Sequence, residues 1–273
     1  MSDAVVTLDV GRVEDSSAAA VRDTVAVEEP LEIRLDQNSI SLTMRTPGAD
    51  FELAAGFLFA EDLVGGPDDI LSISRPADGN PNVVEVKLAP EARIHQAPAK
   101  RNFLITSACG VCGKSSLQEF ERNGCPALPP DEFAVDAGLI LQLPARIREA
   151  QAVFRSTGGL HAAALFDVAG DLLALREDVG RHNAMDKLIG AALLNRQVPL
   201  ARKILLVSGR ASFELVQKAL MASVPLLVAV GAPSSLAVTT AEKAGMTLIG
   251  FLREGRFNIY SGARRVLVLE HHR

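Results

Sequence analysis

The second half of the chain alternates short apolar runs with helical segments. The runs at residues 204–207, 225–230 and 246–252 suit buried strands, and helical patterns over 213–221 and 234–243 separate them. Strands that alternate with helices of this length are joined by crossovers, so their sheet is partly parallel and covered by helices on both faces. This rhythm predicts the α/β class for the second half.

A hairpin and a helix precede this alternation. Residues 160–166 and 172–176 flank the turn 167–171, and an amphipathic helix is predicted over 183–194. Further upstream, residues 136–154 are helical in pattern with a break or kink at Pro144.

The first half predicts a smaller, hairpin-rich α+β subdomain. Two strand pairs and a helix between them are expected over residues 31–44, 50–63 and 70–88, with Asp50 as the N-cap of the helix. Residues 1–27 are rich in Asp, Glu and Ser without a sustained period, which predicts a disordered leader. Prolines near residue 130 mark a linker, so the predicted units are 28–130 and 131–273.

Charge and hydropathy exclude several classes of protein. Lys and Arg number 28 against 33 Asp and Glu, a net charge of −5 that argues against non-specific nucleic-acid binding. No run approaches the roughly 18 to 20 apolar residues of a membrane span. The N-terminus lacks a secretory signal, and three cysteines in 273 residues do not form a disulfide scaffold, so we expect a cytoplasmic protein with reduced thiols.

The most distinctive motif of the chain is Cys109-Gly110-Val111-Cys112-Gly113-Lys114. Glycines give the loop freedom, and the lysine favours the thiolate. A dithiol switch, half of a zinc site and a persulfide carrier all use this spacing, and so could two inert loop cysteines. A thioredoxin-like motif would follow the first strand of a βαβ unit, and a zinc site would need further ligands, whereas only Cys125 remains.

Charged loops at the ends of predicted strands are candidate anion sites. Arg181 and His182 stand where a strand leads into a helix, so the helix N-terminus and the guanidinium could bind phosphate. A solvated, self-paired turn is the alternative. Residues 208–212 link a buried strand to a helix at the sheet edge where α/β proteins bind ligands, although an ordinary turn explains them equally well. His161 is more often a hydrogen-bonded core residue than a catalyst.

A second arginine-containing loop follows the last predicted buried strand. Its guanidinium groups around a glycine turn suit diphosphate or guanine recognition, although a hairpin with solvated arginines is the simpler alternative. The segment consists of Phe251, Leu252, Arg253, Glu254, Gly255 and Arg256.

Taken together, these segments resemble the FdhD/NarQ family of sulfur carriers required for active formate dehydrogenase. The resemblance covers nearly everything from residue 31 onward and rests on residues 45–48, 106–114, 157–167, 177–190, 208–222 and 250–260. It implies a sulfurtransferase that accepts persulfide sulfur from a cysteine desulfurase. The acceptor it implies is the molybdenum cofactor in its bis-molybdopterin guanine dinucleotide form.

The family resemblance also assigns roles. It implies that Cys109 carries the persulfide, that Cys112 assists or resolves the transfer, that residues 251–256 bind the cofactor, and that the protein is a homodimer. Positively charged loops around Arg181 and His182 would hold the phosphate-rich acceptor. A non-catalytic chaperone for the cofactor and a dithiol oxidoreductase are the alternatives.

The family's second half is similar to the cytidine-deaminase fold, which suggests a rival enzyme. A zinc deaminase needs His-x-Glu at a helix start and Pro-Cys-x-x-Cys at the next strand-to-helix turn. The corresponding places here read His182-Asn183-Ala184 and Ser208-Gly209-Arg210-Ala211-Ser212, without the glutamate or the thiolate ligands. We therefore expect this fold without zinc.

Overall fold

The computed structural model of the chain describes residues 4–92, 125–130 and 133–268. The strands there are β1 Val5–Glu14, β2 Ser17–Ala26, β3 Glu29–Leu35, β4 Asn38–Arg45, β5 Ile70–Ser74, β6 Val83–Leu88, β7 Val135–Asp136, β8 His161–Phe166, β9 Leu172–Asp178, β10 Ile204–Val207, β11 Leu226–Ala229, β12 Thr247–Arg253, β13 Arg256–Ser261 and β14 Val266–Leu267. The helices are α1 Asp50–Ala60, α2 Ala137–Ala150, α3 Ala152–Thr157, α4 Arg181–Leu194, α5 Phe213–Met221 and α6 Ser235–Ala244.

A six-stranded mixed sheet forms the second half. Its order is β13-β12-β11-β10-β8-β9, in which β10, β11 and β12 are parallel and the other pairs are antiparallel. Alternate residues face opposite sides, so Leu205 and Leu227 join the core with α4, α5 and α6, while Leu206 and Val228 pack with α2. The predicted mixed α/β fold with a covered, partly parallel sheet is confirmed.

A four-stranded sheet of order β4-β3-β6-β5 forms the first half and packs against α1. The prediction that Asp50 caps this helix is wrong. Ala49 is the N-cap residue, in the left-handed region at φ 55°, and the Asp50 side chain instead accepts hydrogen bonds from Arg45 and Arg75. The buried guanidinium of Arg45 and the half-buried one of Arg75 compete successfully with the helix amides for the Asp50 carboxylate.

Helices α1 and α4 cross at two glycines and join the two halves into one hydrophobic core. A Cβ on Gly56 would lie 1.9 Å from the carbonyl oxygen of Asp186, and one on Gly190 would lie 1.8 Å from that of Glu52. The backbones therefore approach more closely than any residue with a side chain permits.

Residues 5–26 form a β-hairpin, so the predicted disordered leader is wrong for this segment. Strands β1 and β2 pair over ten positions in a separate two-stranded sheet, with Val10 opposite Val21. Asp15 and Ser16 at the turn both have positive φ, the geometry of a type I′ hairpin turn. Neither residue is the glycine that usually signals such a turn, which is why the sequence pattern missed it.

The helical pattern over residues 136–154 forms two helices. Asp136 caps α2, which does not break at Pro144 but continues through it to Ala150, and the short helix α3 follows. The cysteine motif at 109–112 lies outside the described residues, and the unit boundary near residue 130 stays a prediction.

We predict that Gly190→Ala destabilises the protein by at least about 1 kcal/mol, because the new methyl group meets rigid backbone and overpacking of this kind costs about 1–3 kcal/mol. Urea unfolding followed by circular dichroism measures the change. The control is Gly66→Ala, at φ −171° with open space within 4 Å of where a Cβ would lie, which should stay within about 0.5 kcal/mol of wild type. Equal stability of the two variants would contradict the close crossing.

Candidate functional site

The loops that follow β10 and β11 lie side by side with the end of β12 at the carboxyl edge of the parallel strands. Gly231 donates its amide hydrogen to the Gly209 carbonyl at 2.8 Å, and Phe251 donates to the Gly231 carbonyl at 3.0 Å. A bridge between Ala211 and Pro233 continues the contact between the first two loops. This edge is where open α/β sheets place ligands.

Glycine at position 231 is what allows this close stacking of loops. A Cβ there would lie 2.8 Å from the Gly209 carbonyl oxygen and 2.9 Å from the Arg210 Cα. Backbone atoms cannot give way to it, so a side chain at this position would push the loops apart.

Arg181 lies at the N-terminus of α4, against the loop after β10. A Cβ on Gly209 would lie 3.4 Å from the Arg181 Cδ, so the arginine stem covers this glycine. The Nε of Arg181 is buried and, within the described part of the chain, has no hydrogen-bond partner. Burial and the neighbouring Arg210 lower the pKa of Arg181, whereas Glu214 opposes this shift. An anion placed here would satisfy the nitrogen and neutralise the repulsion between the two guanidinium groups.

His182 occupies the next position of α4 and is held by the loop and first turn leading into α5. Its Nε2 lies 3.4 Å from the Ser212 Oγ and 3.9 Å from a carboxylate oxygen of Glu214. Burial, together with the positive charges of Arg181 and Lys218, lowers the pKa of His182 to about 3. The imidazole is therefore neutral at physiological pH.

His161 begins β8, and its ring also lies against Gly209, 3.4 Å from a Cβ built there. Its Nδ1 lies 3.3 Å from the Ser208 Oγ, and the same oxygen accepts the amide hydrogen of Ala162 at 2.8 Å. Burial first, and Arg181 second, lower the pKa of His161. The sequence pattern favoured a hydrogen-bonded core role for His161, but the structure places this residue beside Arg181 at the edge.

A fully buried carboxylate, that of Asp178, fixes the approach to α4. One oxygen accepts from the Gly180 amide at 2.8 Å and from the Asn183 side chain at 3.1 Å. The other oxygen accepts from the Thr46 amide at 3.2 Å and forms an ion pair with Lys187 at 2.7 Å. These contacts join the end of β9, the first turns of α4 and the segment after β4.

A second buried ion pair lies one helical turn below His182. Lys218 of α5 contacts both carboxylate oxygens of Asp186 on α4, at 2.8 and 3.0 Å. Burial raises the pKa of Asp186 to about 6, although Lys218 acts against this shift. The pair ties α5 to α4 and so fixes Ser212 and Glu214 relative to His182.

The residues of the predicted cofactor-binding segment 251–256 have different surroundings, and only some of them are exposed at the edge. Phe251 lies on an irregular stretch of the β12–β13 ladder, at φ 53°, with 41% of its side chain exposed. Leu252 is buried in the core beneath the sheet, and Arg253 bonds the Val230 carbonyl. The remaining residues form the turn and the start of the next strand, namely Glu254, Gly255 and Arg256.

The structure thus brings Arg181, His182 and Phe251 to one edge, while the cysteine pair cannot be placed relative to it. Cys109 and Cys112 lie outside the described residues. Cys125 is half-buried and packs against the main core. In the ranges that the structure describes, no group of three or more His, Cys, Asp or Glu side chains is arranged to hold a metal ion.

Sequence reasoning missed the residues that support this edge. Asp178, Asn183 and Lys187 look like members of a charged turn and an amphipathic helix, yet all three are buried. A signal was present, because Asn183 and Lys187 stand four residues apart and therefore share a face of α4. Their partners at residues 43–46 lie more than 130 positions away in the chain.

Fold and edge together define a class: an α/β protein whose parallel strands end beside two arginine side chains, Arg181 and Arg210, which suit an anionic ligand. The comparisons with known proteins identify the family within this class. The sequence model of the FdhD/NarQ family matches residues 26–267, and the chain belongs to that family.

Curated relatives match almost the whole chain. The sulfur carrier protein FdhD of Streptomyces coelicolor is 51% identical over 262 residues, which are 93% of this chain and 93% of the relative. The protein of the same name from Sulfolobus acidocaldarius is 42% identical over 257 residues, covering 94% of this chain and 96% of the relative.

A solved structure shares the fold. It is described as a formate dehydrogenase accessory protein from Desulfotalea psychrophila, and it matches with a TM-score of 0.75 at 23% identity, covering 96% of this chain and 99% of that chain. No helix among the described residues combines the length and apolar character needed to cross a bilayer.

We predict that Lys187→Met destabilises the protein by about 3–5 kcal/mol, because it leaves the Asp178 carboxylate buried without its cation. Urea unfolding gives the value, and Lys243→Met on the exposed face of α6 is the control, expected within about 0.5 kcal/mol of wild type. The double variant Asp178→Asn with Lys187→Met should recover part of the loss. A single variant as stable as the control would contradict the role of the ion pair.

Proposed function

We propose that this chain is a sulfur carrier that serves formate dehydrogenase. It accepts persulfide sulfur from a cysteine desulfurase on Cys109 and passes it to the molybdenum cofactor in its bis-molybdopterin guanine dinucleotide form. The names of the relatives support sulfur carriage. The description of the structurally similar protein as a formate dehydrogenase accessory protein supports the link to formate dehydrogenase. The proposal includes a homodimer, which the resemblance to the family implies, in the cytoplasm.

The loading step is a thiol–persulfide exchange. The Cys109 thiolate attacks the terminal sulfur of the donor persulfide, a new sulfur–sulfur bond forms, and the donor bond breaks to release the desulfurase thiolate. No net oxidation takes place, and the proton of the persulfide travels with the transferred sulfur. Cys112, three positions on, assists or resolves the transfer.

The observation that carries the acceptor side of the proposal is the buried, unpartnered Nε of Arg181. Arginine binds phosphate through paired N–H donors, and the N-terminus of α4 adds its dipole to the attraction. Arg210 from the neighbouring loop contributes a second positive charge close enough to lower the pKa of Arg181. The edge is therefore suited to the phosphates of the acceptor.

Phe251 supplies an aromatic surface for the guanine part of the acceptor. Positive φ at a residue with a side chain is strained, and such strain persists where the surroundings require it. The β12–β13 pairing is irregular next to Phe251, and such irregularities change the direction of a side chain. The Phe251 ring is exposed at the edge. Aromatic rings in this situation stack on nucleotide bases.

The finer description of the fold also belongs to this proposal. We assign the second half to the cytidine-deaminase fold without its zinc site. In support, the two places where a deaminase carries zinc ligands are adjacent here, with His182 and Ser212 at 3.4 Å, and Ser212 offers a hydroxyl where a thiolate would be required.

We predict that Cys109→Ala abolishes sulfur loading, because the transferred atom must be held covalently. Intact mass after treatment with a cysteine desulfurase should show one added sulfur atom in the wild type and none in the variant, with peptide mapping to residue 109. Cys125→Ala is the control and should load normally. Cyanide-labile sulfur that persists in Cys109→Ala would overturn this assignment, and full support of formate dehydrogenase by the variant would favour a non-catalytic chaperone.

We predict that Arg181→Gln weakens binding of GDP, a fragment of the proposed acceptor, by about 10- to 100-fold, since hydrogen bonds to charged groups contribute about 1.5–3 kcal/mol. Arg181→Lys should recover the affinity only in part, because lysine lacks the planar fork. Calorimetric titration measures both, with Arg12→Gln on the N-terminal hairpin as the control. Wild-type affinity in Arg181→Gln would show that the nucleotide binds elsewhere.

A further inference from the structure

His161 and Ser208 form a hydrogen-bonded pair beside Arg181 that the proposed function leaves without a role. The His161 ring and the Arg181 stem lie against Gly209, each 3.4 Å from a Cβ built on that glycine. Both residues of the pair are half-buried, so a ligand at this edge can contact them without unfolding of the protein.

The hydrogen bonds of Ser208 depend on the charge of His161. The Ser208 Oγ already accepts the amide hydrogen of Ala162, and it has one hydroxyl hydrogen and one further lone pair. Beside a neutral imidazole, the hydroxyl can donate to Nδ1 at 3.3 Å. When the ring is protonated, Nδ1 becomes a donor to Oγ, and the hydroxyl hydrogen must turn to another acceptor.

We infer that His161 and Ser208 form a proton-linked anion-binding element at this edge. When a phosphate-type dianion occupies the site, His161 takes up one proton from solvent, Nδ1 donates to Ser208, and the Ser208 hydroxyl donates to the anion. The inference rests on the proposed function, since the anion is the phosphate part of the acceptor.

The charges around His161 support this coupling. Arg181 and His182 face it from α4, Arg210 and Glu214 belong to the loop and helix after β10, and Asp178 lies opposite on β9. Asp178 favours the protonated ring, but its oxygens already accept four donors, and burial and Arg181 prevail. The free site therefore holds a neutral His161, and a dianion supplies the missing negative charge.

Two consequences follow from this arrangement. Binding favours the protonated ring, so affinity rises as the pH falls toward the pKa of His161 in the free protein. Dianions are preferred to monoanions of similar size, because only a double charge offsets both Arg181 and the new imidazolium. The deeper burial of His182 keeps that ring neutral throughout.

The test is an NMR titration of the full chain with sulfate, which stays dianionic from pH 5 to 8. The Cε1–H resonance of His161, assigned with His161→Gln, is followed against pH with and without saturating sulfate. We expect the pKa of His161 to rise by about one unit or more on binding, the range for an opposite charge within about 4–6 Å. The Arg181 Nε–H resonance reports occupancy independently.

The outcomes separate the inference from the proposed function. A response at Arg181 with an unchanged His161 titration would overturn the inference and leave the anion site intact. No response at either residue up to about 100 mM sulfate would overturn both the inference and the proposed anion site. Ser208→Ala should weaken sulfate binding several-fold, and Ser156→Ala on α3 is the control that should not; equal affinities of these two variants would remove Ser208 from the element.

Discussion

The buried carboxylate of Asp178 is the contact on which the site depends. It stands at the end of β9 and accepts from the turn that leads into α4, from the first turn of that helix, and from the segment after β4. Lys187 neutralises it from the next turn of the same helix. Because a buried charge is tolerated only when its partners are all in place, the two halves of the chain are held in one relative position.

That arrangement explains why positive charge is available at the sheet edge. Asp178 lies at the approach to α4, and its oxygens are occupied by Lys187 and by neutral donors rather than by Arg181. The Arg181 Nε is buried and has no hydrogen-bond partner among the residues that the structure describes. The charge of Asp178 is thus balanced by Lys187, while burial and the neighbouring Arg210 continue to disfavour the charge of Arg181.

Close backbone packing positions the same residues. The crossing of α1 and α4 at Gly56 and Gly190 brings the first half against the helix that carries Arg181, and Gly231 lets two loops of the edge stack on each other. Each approach removes the space for a side chain, so the geometry is stiff. Stiffness matters for a site whose histidines are tuned by burial, because solvent entering the edge would restore their ordinary pKa values.

Much of the local structure was predictable from the sequence. The bounds of β10 and α5 were predicted correctly to the residue, since an apolar run and an amphipathic period each follow from short-range pattern. Asp50 was assigned as a cap because carboxylates at helix starts usually are caps, and the competing guanidinium of Arg75 comes from 25 residues away. The N-terminal hairpin was missed because Asp15 and Ser16 adopt positive φ without a glycine.

The sequence by itself determined the alternation that builds the sheet, the candidate anion residues Arg181 and His182, and the reactive cysteine motif, because each depends on residue type and short spacing. Only the tertiary structure decided that Asp178, Lys187 and Asn183 are buried together with residues 43–46, and that His161 joins Ser208 at the edge. Those contacts connect residues 47 to 141 positions apart, and pattern along a chain carries no information about which distant groups will share one desolvated space.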